Sequence, residues 1–200
     1  LGSAQGMNAF LPALKNHGDI DILINNLGIF EPKPFLEIPD EDWEKFYQVN
    51  VMSGVRLSRA LLPAMMKNNW GRIIFISSES AYNIPEEMIH YGMTKTAQIA
   101  IARGIAETTK GTHVTVNSVL PGPTYSECVE EFVQQLQSGG AADRKTIEKQ
   151  FFSEARPSSL LQRFTDPQEI ANMVAYIASP LSSATNGAAL RADGGTYKSI

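Results

Sequence analysis

Short apolar runs alternate with helix-length amphipathic stretches along the whole chain, which predicts a parallel α/β sheet layered with helices. Residues 20–24, 72–77, 114–120 and 188–191 form the strand series. The first of these is apolar on both faces, as a strand buried between helix layers is. Helices are predicted over residues 2–16, with Phe10, Leu11 and Leu14 as the apolar side, and over 41–67, capped by Asp40 and bent at Gly54 and Pro63. A long helix follows over 88–110. Another opens at Asp166-Pro167 and runs through Ala178, with proline at its favoured first position. The reading is one doubly wound domain over residues 1–200, without repeats or low-complexity segments.

The alternation stops between Thr124 and Phe164. Amphipathic helices are expected near 127–137 and 145–154, joined by Ser138-Gly-Gly-Ala-Ala142. An insertion over 125–164 at the mouth of a sheet reads as a substrate lid. The plainer reading is a helical hairpin that only packs.

Composition narrows the class. Two hundred residues with 43% hydrophobic and 19% charged positions make one ordinary globular domain. A net charge of −4 argues against nucleic-acid binding. No apolar stretch approaches the ~20 residues that a membrane span needs. The single cysteine, Cys128, has no internal disulfide partner, which fits a reducing, cytoplasmic setting. His17, His90 and His113 lack metal-ligand spacing, so no metal is expected.

The chemistry centres on Tyr91-Gly-Met-Thr-Lys95. On a helix, Tyr91 and Lys95 share one face at about 5–6 Å between Cβ atoms. A close ammonium favours the phenolate by roughly 1–3 pK units, which makes the phenol a tuned acid. Ser78 precedes Tyr91 by thirteen residues and ends the 72–77 strand, where open α/β sheets place ligands. A serine hydrolase built on Ser78 and His90 lacks the glycines of a nucleophile elbow, and Cys128 as a thiol nucleophile is equally unsupported.

Further motifs join this core: Asn50 in Val49-Asn50-Val51, Asn25-Asn26-Leu27-Gly28 after the first strand, Pro121-Gly122-Pro123-Thr124 after the third, and Asp193-Gly194-Gly195. In this order and spacing, from about Ile20 to Gly195, the chain resembles the short-chain dehydrogenase/reductase family. The resemblance implies a Rossmann-like fold that uses NAD or NADP on a small carbonyl or alcohol substrate. Tyr91 would be the acid/base and Ser78 the donor to the substrate oxygen. Lys95 would hold the ribose, and Asn50 a water feeding Lys95; an Asn that stabilises a bent helix is compatible with that role. Asn25 and Gly28 would lie by the adenosine side, although the Asn25 amide can also simply tie strand ends. Pro121, Gly122 and Thr124 would shape the nicotinamide pocket. Leu27 stands where the family usually has alanine.

Met88, Ile89, Tyr125 and Phe132 are candidates for an apolar substrate wall. The 88–110 helix carries Ile99, Ile101, Ala102, Ile105 and Ala106, more than one apolar stripe, with small residues at Ala97, Ala100 and Gly104. Together with the family's habit of pairing through these helices, this implies a homo-oligomer, dimer or tetramer, built on 41–67 and 88–110. The family's glycine-rich phosphate turn has no counterpart in residues 1–200, and Gly2-Ser-Ala-Gln-Gly6 has no apolar strand before it. The resemblance therefore implies a chain without its amino-terminal portion, the strand near 21–26 being left as an exposed edge. The alternative reading is a catalytically silent fragment of this family that serves as a binding or scaffold protein.

Overall fold

A computed structural model of the chain describes residues 1–126 and 143–200. Four parallel strands, β1 (Ile22–Asn25), β2 (Gly71–Ile76), β3 (Val114–Pro121) and β4 (Ala189–Ala192), lie in the order β1-β2-β3-β4. Helices cover both faces. On one face Leu23, Ile73, Phe75, Val114 and Val116 pack with Met65 of α3 (Ser53–Lys67) and with Ala102 and Ala106 of α4 (Ile89–Thr108). On the other, Ile74 and Val119 meet Ile170 and Ile177 of α6 (Pro167–Ala178). Each fully buried side chain of this size contributes roughly 1.5–3 kcal/mol, so these two layers hold the sheet flat against its helices.

Several expectations need correction. β1 is the outer edge expected near 21–26, paired with β2 among the described residues, yet only its Leu23 and Asn25 are buried. Ile22 and Ile24 are exposed, so the strand is covered on one face rather than two. The first helix, α1 (Ala4–Leu14), buries Met7 instead of Phe10, Leu11 or Leu14, and Phe10 is exposed.

The predicted 41–67 helix is three segments: α2 (Asp40–Phe46), a π-helical stretch Tyr47–Met52, and α3. Pro39, without a side-chain acceptor, precedes it. Asp40 sits inside the first turn with Glu41 and Asp42, where three acids complement the positive end of the helix dipole. The irregularity lies just ahead of Gly54, while Pro63 stands within α3. Gly54 is needed for close approach: a Cβ there would come within 2.6 Å of the Phe75 ring.

Of the two helices expected in the insertion, α5 (Arg144–Glu154) is present, capped by Asp143, whose Oδ1 accepts from the Thr146 N–H at 2.9 Å. The 127–137 helix, Cys128 and Phe132 lie outside the described residues. α6 begins as expected, with a reciprocal cap in which Asp166 accepts from the Gln168 N–H and Glu169 accepts from the Asp166 N–H, both at 2.8 Å.

Candidate active site

The carboxyl ends of β1, β2 and β3 and the start of α4 converge on one region. Three serines compete at the end of β2, and their hydrogen bonds separate them. The Ser77 hydroxyl donates to the Lys95 carbonyl oxygen at 2.8 Å, tying β2 to α4. The Ser80 hydroxyl is turned to Glu79 Oε1. Ser78 Oγ accepts from the Ser80 N–H at 3.1 Å, which leaves its own proton to donate, and it is near enough to the Tyr91 phenol to favour the phenolate. Gly92 lets this turn approach α4, since a Cβ there would meet Ile84 at 2.6 Å and the Ser80 carbonyl oxygen at 3.2 Å.

Tyr91 corrects the electrostatic expectation. Its pKa is raised, chiefly because burial penalises the phenolate, and the hydrogen bond from Ser78 opposes this only in part. Glu79 raises it further and Arg156 lowers it. Lys95 Nζ stands 5.5 Å from the centre of the Tyr91 ring and donates to the Ile76 carbonyl oxygen at 3.0 Å. The lysine responds to its own burial: desolvation lowers its pKa to about 8. The phenol is thus a protonated donor at neutral pH, and the ammonium, not the phenol, is the group brought toward the neutral range.

Asn50 lies in the π-helical stretch, the kind of irregularity that often marks functional sites. Its side chain exchanges two hydrogen bonds with Ile29, accepting from N–H at 2.8 Å and donating to the carbonyl oxygen at 2.9 Å. Asn50 Nδ2 also donates to Thr94 Oγ1 at 3.0 Å, and the Asn50 carbonyl oxygen accepts from Gln98 Nε2 at 2.6 Å. Asn50 therefore locks the loop after β1 onto α4, one turn from Tyr91 and Lys95. Asn50→Ala is expected to destabilise the fold by about 1–3 kcal/mol, because it leaves the Ile29 N–H and carbonyl oxygen without the partners that Asn50 supplies. Denaturant unfolding checks this.

The remaining candidates fall around the same region. Asn25, buried, donates to Ser58 Oγ at 3.3 Å, and its Oδ1 has no partner among the described residues. A Cβ on Gly28 would sit 3.5 Å from Lys95 Nζ and 3.7 Å from Asn50 Oδ1, so glycine keeps open the space before both groups. Leu27 is exposed. Gly122 packs on the Asp193-Gly194-Gly195 turn, where a Cβ would meet the Asp193 carbonyl oxygen at 2.5 Å. The Thr124 hydroxyl, expected to face a ligand, donates to the Gly122 carbonyl oxygen at 2.9 Å and lies 3.0 Å from Thr165 Oγ1. It shapes its own loop, next to Pro121 at the end of β3.

Met88 and Ile89, both half-buried, stand at the start of α4. Tyr125 packs its ring 6.0 Å from Phe164, within an aromatic group that includes Phe151 and Phe152 of α5. Two features escaped the sequence reading. Phe30 places its ring edge-on to Tyr91 at 6.2 Å, and a buried ion pair joins Glu79 to Arg156. Phe30 follows the Asn-Asn-Leu-Gly turn, which was its only signal. The ion pair spans 77 residues and had none.

A nicotinamide dinucleotide fits this donor set. The buried Lys95 ammonium spends one of its three N–H groups on Ile76, beside the gap that Gly28 holds open. A cation facing an open polar gap suits a ribose diol.

Comparison with known proteins agrees. A family model described as "Enoyl-(Acyl carrier protein) reductase" matches residues 3–197. The "uncharacterized oxidoreductase YvaG" of Bacillus subtilis is 48% identical over 200 residues, covering 100% of this chain and 75% of that protein. The 3-oxoacyl-[acyl-carrier-protein] reductase of Aquifex aeolicus is 30% identical, covering 98% of this chain and 73% of its own length. The crystal structure of L-sorbose reductase from Gluconobacter frateurii, complexed with NADPH and L-sorbose, superposes with a TM-score of 0.92 at 26% identity. It covers 100% of this chain and 75% of that one. With the parallel sheet, the Ser78–Tyr91 contact and the buried Lys95 in place, the chain belongs to the short-chain dehydrogenase/reductase family, NAD(P)-dependent oxidoreductases that transfer hydride between a nicotinamide and a carbonyl or alcohol.

Proposed function

We propose that Tyr91 is the acid/base of a carbonyl–alcohol interconversion, Ser78 the donor that steadies the reacting oxygen, and Lys95 the group that holds the cofactor ribose. The observation that carries this reading is the hydroxyl pair of Ser78 and Tyr91 set beside a buried lysine that retains donors. When bound, the NAD or NADP nicotinamide supplies or accepts the hydride. The chain's own residues do the rest. Ser78 donates to the substrate oxygen as charge develops on it, and Tyr91, held neutral by burial, gives that oxygen its proton. Lys95 donates to ribose hydroxyls, with Asn25 and Gly28 on the adenosine side and Pro121, Gly122 and Thr124 shaping the nicotinamide pocket. Asn50 holds the β1 loop against α4 and feeds Lys95 through a water. Met88, Ile89 and Tyr125 form an apolar substrate wall, joined by Phe132, and residues 125–164 act as the lid. The test is oxidation of NADPH and NADH with a panel of small ketones, ketoses and oxoacyl thioesters. Turnover that depends on Ser78 and Tyr91 supports the reading. The scaffold alternative requires tight substrate or partner binding without turnover.

A reducing, cytoplasmic setting is part of the same proposal. It rests on the lone Cys128 and on the absence, among the described residues, of a helix long and apolar enough to cross a membrane. The assembly is a homo-oligomer through 41–67 and 88–110. Ile101 and Ile105 pack on the core, so the supporting surface is the row of small residues. Ala100 and Gly104 are exposed, and nothing lies within 4 Å of a Cβ on Gly104. Sedimentation should give a dimer or tetramer mass, and a Gly104→Arg variant should shift it toward monomer. A monomeric mass for the unaltered protein contradicts the proposal.

A further inference from the structure

Glu79 follows Ser78 directly, yet both its carboxylate and the guanidinium it meets are buried: Glu79 is 3% and Arg156 8% exposed. Arg156 Nε donates to Glu79 Oε1 at 2.8 Å, while Oε2 has no partner among the described residues. The other ion pairs among the described residues are more open to solvent. Arg156 lies just past α5, and its N–H donates to the Phe151 carbonyl oxygen at 3.2 Å, so it moves with that helix. Arg156 also lines an open cavity of about 430 Å³ with Ile84, Glu86, Glu87 and Glu154, between α5 and the segment that joins Ser78 to Tyr91. The pair thus crosses from the lid-side helix to the turn that carries Ser78.

We propose that the Glu79–Arg156 pair is a latch: it fastens α5 to the Ser78 turn and so positions the Ser78 and Tyr91 hydroxyls as one unit. This rests on the acid/base role given to Tyr91 above. A buried carboxylate one residue from Ser78 is costly unless paired, and the partner is supplied only when α5 is docked. Docking of α5 therefore completes the charge balance next to the reacting groups. Both residues act through Ser78 and Tyr91, which makes them positioning residues. The charged and polar groups around the Tyr91 phenol are Lys95 from its own helix, Ser78 and Glu79 from the β2 turn, and Arg156 from beyond α5.

The test compares Glu79→Gln, Arg156→Met, Arg156→Lys and the double variant Glu79→Gln/Arg156→Met with the unaltered protein. Hydrogen exchange of α5 and ultraviolet titration of Tyr91, taken as the difference from Tyr91→Phe, need no turnover. Both single neutralisations should speed exchange in α5. They should move the Tyr91 titration in opposite directions, up for Arg156→Met and down for Glu79→Gln, and the double variant should return it toward the original value while α5 stays fast. Arg156→Lys keeps the charge and should preserve the titration. The double variant leaves no unpaired buried charge, so it folds if a single one does not. Where turnover is measured, kcat should fall about 10- to 100-fold with a smaller change in KM, as expected for misplacement of reacting groups. Unchanged exchange in α5, or titration shifts of the same sign in both single variants, overturns the latch. Loss of turnover in the unaltered protein would count against the acid/base reading alone, because exchange and titration still decide the latch.

Discussion

Tyr91→Phe is expected to lower kcat about 100- to 10,000-fold, the usual contribution of a positioned acid or base, with the fold intact. Phenylalanine keeps the ring and its edge-on contact with Phe30. It removes only the phenol oxygen, whose ionisation Ser78 favours. The pH dependence has a definite sign. Burial holds the phenol pKa above its ordinary value, so the donor stays protonated through neutral pH. Carbonyl reduction should therefore show no loss on account of Tyr91 until the solution is more alkaline than an ordinary tyrosine requires. Alcohol oxidation, which needs the phenolate, should rise with pH over that range. A kcat for Tyr91→Phe within about threefold of the unaltered protein would remove Tyr91 from the chemistry.

Lys95→Met separates stability from function. Burial takes the lysine from 10.5 to about 8. For a lysine with a lowered folded pKa, the unfolded chain binds more protons between these two values, so stability rises with pH across that window. Below about pH 8 the protein carries the full cost of a buried ammonium, about 3 kcal/mol at 1.36 per unit, partly offset by the bond to Ile76. The ligand-free Lys95→Met protein should therefore melt higher than the original at pH 7, with the gap closing toward pH 10.5. The same variant should lose cofactor affinity about 10- to 100-fold, the worth of hydrogen bonds from a charged donor, and lose rate as well. Melting curves across pH and a cofactor titration check both halves. A variant that is less stable at pH 7 and binds cofactor normally would contradict the assignment.

What the sequence made legible was mostly local. α6 could be placed because Asp166, Pro167 and Glu169 form its cap within four residues of one another. β2 and β3 were plain because central strands are rich in apolar residues, and they are buried along nearly their whole length. Ser78, Tyr91 and Lys95 could be read because strand end and helix face fix their spacing. What failed depended on packing between distant segments. The uncovered face of Ile22 and Ile24 depends on which helices pack over β1, which no run of apolar residues encodes. The π-helical stretch is matched to Thr94 and Gln98 on another helix, so the Val-Asn-Val run alone looked regular. The direction of the Tyr91 shift was misjudged for the same reason. Helical spacing brings Lys95 near, but the burial that dominates comes from the surrounding fold.

The central claim is hydride transfer to a carbonyl with Tyr91 as proton donor. Its most direct measurement uses NADPH and NADH carrying deuterium at the reactive ring carbon. The protein is incubated with each and with a ketone it turns over, and the product is read by NMR. The account predicts an alcohol with deuterium on the carbinol carbon from the unaltered protein, and almost none from Tyr91→Phe under the same conditions. Alcohol without deuterium on that carbon, or equal yields from both proteins, would contradict it.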